Sequence, residues 1–112
     1  MKSLVRILIA GAAIAFAQAH AAAPGDAEAG KAKSQTCAAC HGADGNAENP
    51  IYPIIAGQYR DCLAQALRDY RSGARNNAIM RGFASALSDE DILDLAAYFS
   101  QQPSALTTPN PD

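Results

Sequence analysis

The chain has 112 residues, of which 18% are charged, and its formal net charge at pH 7 is −2. This length holds one small domain, and the acidic balance argues against nucleic acid or an anionic membrane surface as the partner. The chain has no tryptophan and only three phenylalanines, and small domains with such modest cores commonly gain stability from a metal, disulfides or a partner chain.

The first residues have the layout of a secretory signal peptide. Lys2 and Arg6 precede an apolar run over residues 7–17, and small residues follow it. The run is shorter than the roughly 20 residues that a membrane-spanning helix needs, which favours cleavage over an uncut anchor. We predict a signal peptide over residues 1–21, export to the periplasm and no stable membrane insertion afterwards. Cleavage after Ala19 or Ala23 also fits the pattern.

Hydrophobic periodicity predicts an all-α domain over residues 22–102. A first helix is expected to begin at the N-cap residue Asp26 and to run into the region of Cys37. Residues 42–57 are dense in glycine, asparagine and proline, which predicts a long loop. Residues 58–72 have apolar side chains at the spacing of one helix face, which predicts a second helix there.

The second half of the domain has clear helix boundaries. Gly73 stands where a left-handed residue would end the preceding helix, and a polar loop is expected to lead from it to Met80. Ser88 is a predicted N-cap followed by three acidic residues, and Pro103 is expected to stop the helix that begins there. We expect residues 103–112 to form a flexible tail.

The stretch "CAACHG" carries the chemistry of the chain. A structural zinc site needs four ligands, and beyond Cys37 and Cys40 the chain offers only Cys62 as a further cysteine. A thioredoxin-like redox pair belongs in a βαβ setting, which this chain lacks. The spacing C-x-x-C-H is the attachment sequence of a c-type haem, in which two thiols bind the porphyrin and His41 is an axial ligand of the iron. We therefore predict one covalent haem c per chain, attached through Cys37 and Cys40.

The second axial ligand can be approached by elimination. After cleavage His41 is the single histidine and Met80 the single methionine, so Met80 is the candidate distal ligand and His41 with Met80 the candidate metal site. Met80 as ordinary core filler, Lys31 or Lys33 as the ligand, and a water-bound or open position remain alternatives. The ring of His41 needs a carboxylate or carbonyl partner to fix its tautomer, and the loop prolines Pro50 and Pro53 mark the candidate segment.

Several separate blocks of the chain resemble a class I cytochrome c, and in particular one half of the dihaem cytochrome c4 group and its monohaem relatives. Besides the haem motif and Met80, these blocks are "YPIIAGQ" (52–58), "LRDYRSGAR" (67–75) and "LSDEDILDLAAYF" (87–99). The resemblance implies a small fold of helices wrapped around one haem, with the first and last helices crossing. It also implies that Gly30 meets Tyr98 or Phe99 at that crossing and that the carbonyl of Pro53, rather than Pro50, orients His41.

The chain departs from the group in two ways. It has a single C-x-x-C-H, so no second haem is expected, and Cys62 lies where relatives more often have a large apolar residue. We interpret Cys62 as a buried free thiol, with an intermolecular disulfide as the alternative.

An iron with both axial positions filled has no vacancy for substrate, which predicts a one-electron carrier rather than an enzyme. The expected partners are donor and acceptor redox proteins that dock transiently with a monomer. A haem sensor with a displaceable distal ligand and a dedicated cytochrome subunit of a periplasmic dehydrogenase are the competing functions. Charged side chains on the middle and last helices hint at how docking is steered, although most of them are interpreted as solvated faces and caps.

Overall fold

The computed structural model describes residues 24–107, which form five helices and no strand. The predicted all-α class is therefore confirmed. The helices are α1 (Ala27–Lys33), α2 (Gln35–His41), α3 (Arg60–Ser72), α4 (Ala78–Ala84) and α5 (Asp89–Ser100). The predicted signal peptide over residues 1–21 and the last part of the predicted tail, residues 108–112, lie outside the described residues. Within residues 24–107, no helix is long and apolar enough to cross a membrane.

The predicted first helix is two helices that meet at Ser34. The Asp26 side chain caps α1 by accepting hydrogen bonds from the backbone N–H groups of Glu28 and Ala29 at 2.8 and 3.2 Å. At the other end, the buried Ser34 hydroxyl donates to the carbonyl oxygen of Lys31 at 2.8 Å. A serine side chain that bonds to a preceding carbonyl bends a helix, and α2 begins at the next residue. The predicted start is confirmed, and the prediction of one continuous helix is wrong.

The ends of α3 and α5 follow the predicted local signals. Gly73 is left-handed with φ of +86°, and its N–H donates to the carbonyls of Asp69 and Tyr70 at 3.0 and 3.3 Å. At the start of α5, the Ser88 hydroxyl accepts from the N–H of Asp91 at 3.0 Å, and the Asp91 carboxylate accepts from the N–H of Ser88 at 2.9 Å. This reciprocal pair is a capping box, which satisfies two N–H groups that the helix itself leaves free.

Helix α1 crosses α5 closely, and α3 packs on both α5 and α4. The buried Gly30 of α1 lies at the crossing with Tyr98, whose Cβ would be 2.8 Å from a Cβ built on the glycine. The expected crossing of a glycine with an aromatic residue is therefore confirmed, with Tyr98 as its partner. The α3–α5 core is small: it centres on Ala64, Ile92 and Ala96, and partly buried leucines surround it.

Candidate haem site

Helix α2 presents the two cysteines and the histidine of the motif together. Cys37 and Cys40 are three residues apart, so their side chains lie on one helix face. Both are half-buried, and neither forms a disulfide in the described structure. His41 is the last residue of α2, and Gly42 after it has φ of +80°. A Cβ on Gly42 would lie 2.7 Å from the carbonyl oxygen of Asn46, so glycine permits the tight turn that follows the histidine.

The His41 ring is buried, with 7% of the residue exposed. Its Nδ1 lies 2.9 Å from the carbonyl oxygen of Pro53. A carbonyl oxygen can only accept a hydrogen bond, so Nδ1 carries the proton and donates it, and Nε2 is left with the lone pair that a metal needs. This carbonyl is the one that the family resemblance implies, while ligation itself stays a prediction.

The loop that carries Pro53 is fixed by bonds to itself and to α5. The carbonyl of Gly45 accepts from the N–H groups of Ile55 and Ala56 at 2.8 and 3.1 Å. Gly57 then donates to the carbonyl of Phe99 at 2.9 Å. The backbone that follows Pro53 is thus tied to Gly45 near the start of the loop and to Phe99 of α5.

Met80 lies in the first turn of α4. The side chain of Asn77 caps this helix and accepts from the N–H of Met80 at 3.0 Å, so the prediction that a loop delivers Met80 is wrong. Met80 and Ala84 are four residues apart and share a helix face. Ala84 is fully buried and Met80 half-buried, so this face points inward. Met80 therefore comes from a different helix than His41, and their joint ligation of iron stays a prediction.

Cys62 corrects another sequence interpretation. It is exposed on the first turn of α3, so the interpretation of Cys62 as a buried free thiol is wrong. Ala64 is instead the fully buried residue of that helix. The alternative of an intermolecular disulfide stays a prediction.

Asn46 supports the site and was not found from the sequence. Its side-chain amide donates to the carbonyl of Pro103 at 2.8 Å, and its amide oxygen accepts from the N–H of Ala105 at 2.7 Å. These bonds join the loop after His41 to the segment that follows α5. Asn46 also donates to Asp44, and these bonds lower the pKa of that carboxyl. No spacing in the sequence signals a contact between residues so far apart along the chain.

The described residues fit a large apolar cofactor. Alanine supplies five of the eight buried apolar residues, and Ile92 is the one large side chain that is fully buried. The described core is thus short of large apolar side chains, and α2 presents two thiols and an oriented imidazole in the C-x-x-C-H arrangement to which a c-type haem attaches. This fold and this donor set define a c-type cytochrome.

Comparison with known proteins agrees with this class. The family model described as "Cytochrome c" matches residues 27–103, and the chain belongs to the cytochrome c family. It is 51% identical over 81 residues to cytochrome c-554(548) of Halomonas halodenitrificans, covering 70% of this chain and 98% of that protein. The crystal structure of reduced recombinant cytochrome c4 from Pseudomonas stutzeri matches with a TM-score of 0.68 and 43% identity, covering 70% of this chain and 46% of that one.

A third relative is named as a partner of an enzyme. The thiosulfate dehydrogenase electron acceptor of Thiomonas intermedia is 43% identical over 93 residues, covering 80% of this chain and 42% of that protein. The chain spans about half the length of its cytochrome c4 relatives, and its sequence contains one C-x-x-C-H. As in the rest of the family, the cofactor is haem c bound covalently through the cysteine pair, here Cys37 and Cys40. Cytochrome c4 proteins are electron carriers and not enzymes.

Proposed function

We propose that this chain is a monohaem one-electron carrier whose iron is ligated by His41 and Met80. The observation that carries the proposal is the hydrogen bond from His41 Nδ1 to the Pro53 carbonyl at 2.9 Å, because it leaves Nε2 free to coordinate. When bound, haem c supplies an iron(II)/iron(III) couple that exchanges one electron. The chain holds the imidazole in one tautomer and one orientation. Exchange of the electron then transfers no proton and forms or breaks no bond.

Met80 completes the site in this proposal. Its inward face on α4 supports ligation, since Ala84 on the same face is fully buried. The Met80 thioether would raise the reduction potential of a bound haem because soft sulfur favours the ferrous state. If His41 and Met80 both ligate the iron, the chain would leave it no position for a substrate.

We place the carrier in the periplasm, as a monomer that docks transiently with donor and acceptor proteins. The signal-peptide layout of residues 1–21 supports this location. Residues 22–102 then form the haem domain, and 103–112 form its tail. A second candidate function is that of a dedicated electron acceptor for a dehydrogenase, which the name of the Thiomonas relative favours.

Mass and absorption spectra of the mature holoprotein test the proposal. We expect the mass of the polypeptide plus one haem, a six-coordinate low-spin spectrum, and a ferrous form that does not bind carbon monoxide. A high-spin haem that binds carbon monoxide would overturn the carrier in favour of a sensor. Stable co-purification with a catalytic chain would identify the dedicated acceptor instead of a free shuttle.

A further inference from the structure

The segment that follows α5 is bonded to the loop after His41 through one side chain. Asn46 in that loop donates from its amide to the carbonyl of Pro103 at 2.8 Å and accepts from the N–H of Ala105 at 2.7 Å. Residues 103–106 are here called the strap. A single amide thus uses its donor and its acceptor on two backbone groups of the strap, and this pair of bonds fixes its orientation.

The peptide unit between Gly45 and Asn46 connects the strap to the far side of the loop. Its N–H, which belongs to Asn46, donates to the Asp44 carboxylate at 3.0 Å. Its carbonyl, which belongs to Gly45, accepts from the N–H groups of Ile55 and Ala56 at 2.8 and 3.1 Å. Because a peptide unit is planar and rigid, a rotation at Asn46 would tilt this carbonyl away from Ile55 and Ala56.

The path from this peptide unit to the imidazole is short. Ile55 comes two residues after Pro53, whose carbonyl oxygen lies 2.9 Å from His41 Nδ1. Gly45 is itself buried, and a Cβ built on it would lie 2.8 Å from the backbone nitrogen of Ala56. No empty space next to Gly45 can absorb a tilt of its carbonyl, so the tilt displaces the backbone that leads back to the Pro53 carbonyl.

We propose that Asn46 is a positioning residue for the axial imidazole: anchored to the strap, it holds the Pro53 carbonyl on His41 Nδ1 and so lowers the reduction potential. A firm hydrogen bond from Nδ1 makes the imidazole a stronger electron donor to the iron, which favours the ferric state. Hydrogen bonding to an axial ligand is one means by which a protein tunes a haem iron. This inference rests on the proposed function, because Nδ1 influences the potential only if Nε2 of the same ring ligates the iron.

Two uncharged substitutions in the holoprotein test the connection from its two ends. Asn46→Ala removes the amide, and Ala105→Pro removes the N–H that donates to it. Neither changes a charge, so no electrostatic shift in potential is introduced. For each variant we expect potentiometric titration to give a higher potential, equivalent to a several-fold larger ferrous-to-ferric ratio. We also expect the His41 Nδ1 proton to exchange with solvent several-fold faster, as measured by NMR of the ferrous form.

A double variant and two controls locate the effect. Asn46→Ala and Ala105→Pro break the same bond, so the double variant should have the potential of Asn46→Ala alone, and additive shifts would overturn the proposal. Leu106→Pro removes an N–H that bonds to Ser104 within the strap and should leave the potential unchanged. Ser88→Ala removes the N-cap at the far end of α5 and should lower stability without changing the potential.

The remaining outcomes separate the possible failures. If Asn46→Ala lowers stability as Ser88→Ala does but leaves the potential and the Nδ1 proton unchanged, Asn46 is only structural and the positioning role is overturned. Equal shifts from Ala105→Pro and Leu106→Pro would mean that strap stiffness acts without Asn46, and would also overturn it. A high-spin wild-type haem that binds carbon monoxide overturns the proposed carrier. Exchange of the His41 Nδ1 proton in the ferrous carbon monoxide complex then decides the positioning role on its own.

Discussion

Gly30 of α1 lies directly against the backbone of α5 at Asp94. A Cβ built on Gly30 would stand 2.0 Å from the carbonyl oxygen of Asp94, a distance that no side-chain atom can adopt. Glycine in a helix interior costs about 1 kcal/mol relative to alanine. The chain accepts this cost because the crossing distance of the two helices leaves no room for a side chain.

Gly30→Ala should therefore destabilise the holoprotein. The clash with the Asp94 backbone forces the helices apart, and we expect the free energy of unfolding to fall by about 1–3 kcal/mol, measured by urea unfolding followed by circular dichroism. Gly82→Ala is the matched control, since its new Cβ would meet nothing within 4 Å and should gain up to about 1 kcal/mol from helix propensity. Equal stability of the two variants would contradict the packing argument.

The same two helices are joined by an ionic cluster around Asp94. Its carboxylate accepts from the N–H of Asp26 at 2.7 Å and from the ammonium of Lys33 at 2.6 Å. Lys33 also lies 2.8 Å from a carboxylate oxygen of Asp91. The Asp26 N–H and then Lys33 lower the pKa of Asp94, and Lys33 first of all lowers the pKa of Asp91 to about 2. The hydrogen bonds to Asp91 and Asp94 in turn raise the pKa of Lys33.

These pKa shifts predict at which end of the pH range the fold loses stability. A carboxyl with a depressed folded-state pKa stabilises the fold above its ordinary value of 3.8 and loses that contribution as pH falls toward the folded value. Lys33 contributes fully below its ordinary pKa of 10.5, and this contribution declines as pH rises above 10.5 and is gone once pH has passed the raised folded-state pKa. The cluster should therefore fail on acidification and not near neutral pH.

Asp94→Asn tests the cluster through thermal unfolding as a function of pH. We expect the Tm of the variant to lie below that of the wild type at neutral pH, and the difference to shrink between about pH 5 and about pH 2 as the wild-type carboxyls are protonated. Glu90→Gln removes the same charge from an exposed position of α5 and should give a curve parallel to that of the wild type. A difference between Asp94→Asn and wild type that is constant with pH would count against the cluster.

Local signals in the sequence predict the helix ends well. Gly73 ends α3 and the pair Ser88 and Asp91 begins α5, because each cap depends only on residues within one turn. The position of Met80 was harder to predict, since asparagine favours both loops and N-caps. Asn77 is an N-cap here, and the polar stretch before Met80 therefore starts a helix.

Tertiary packing decides which face of a helix is buried, and hydrophobic periodicity alone does not determine that face. The apolar spacing on α3 correctly predicts a helix, but Tyr59 before it is 83% exposed and Cys62 is exposed, while Ala64 is 2% exposed. Which face of α3 is buried depends on how α3 rotates onto α5, and a small alanine allows the closer approach there. The hydrogen bonds that fix the loop after His41, such as that from Asn46 to Pro103, join residues distant in sequence and could not be predicted from spacing.

Pro53→Ala tests the orientation of His41. The carbonyl remains, but the backbone loses the fixed φ of proline, so the hydrogen bond between this carbonyl and His41 Nδ1 should weaken. The imidazole should then become a poorer electron donor to the iron. We expect the haem to stay attached and the reduction potential to rise, as measured by potentiometric titration. Pro50→Ala alters the same loop without touching the carbonyl that bonds His41 and should leave the potential unchanged. Equal potentials for both variants would show that Pro53 does not position the ring.

Met80→Ala tests the second proposed ligand. Removal of the thioether should leave haem attached through its cysteines, open the distal position to carbon monoxide and lower the reduction potential, because the ferrous state loses its soft ligand. The absorption spectrum with and without carbon monoxide measures this directly. Ile79→Ala, which shortens an exposed neighbour on α4, should keep the low-spin spectrum of the wild type. A Met80→Ala spectrum identical to that of the wild type would show that another group ligates the iron. Of the two candidate lysines, Lys33 is less available than Lys31 because its ammonium already lies 2.6 Å from the Asp94 carboxylate.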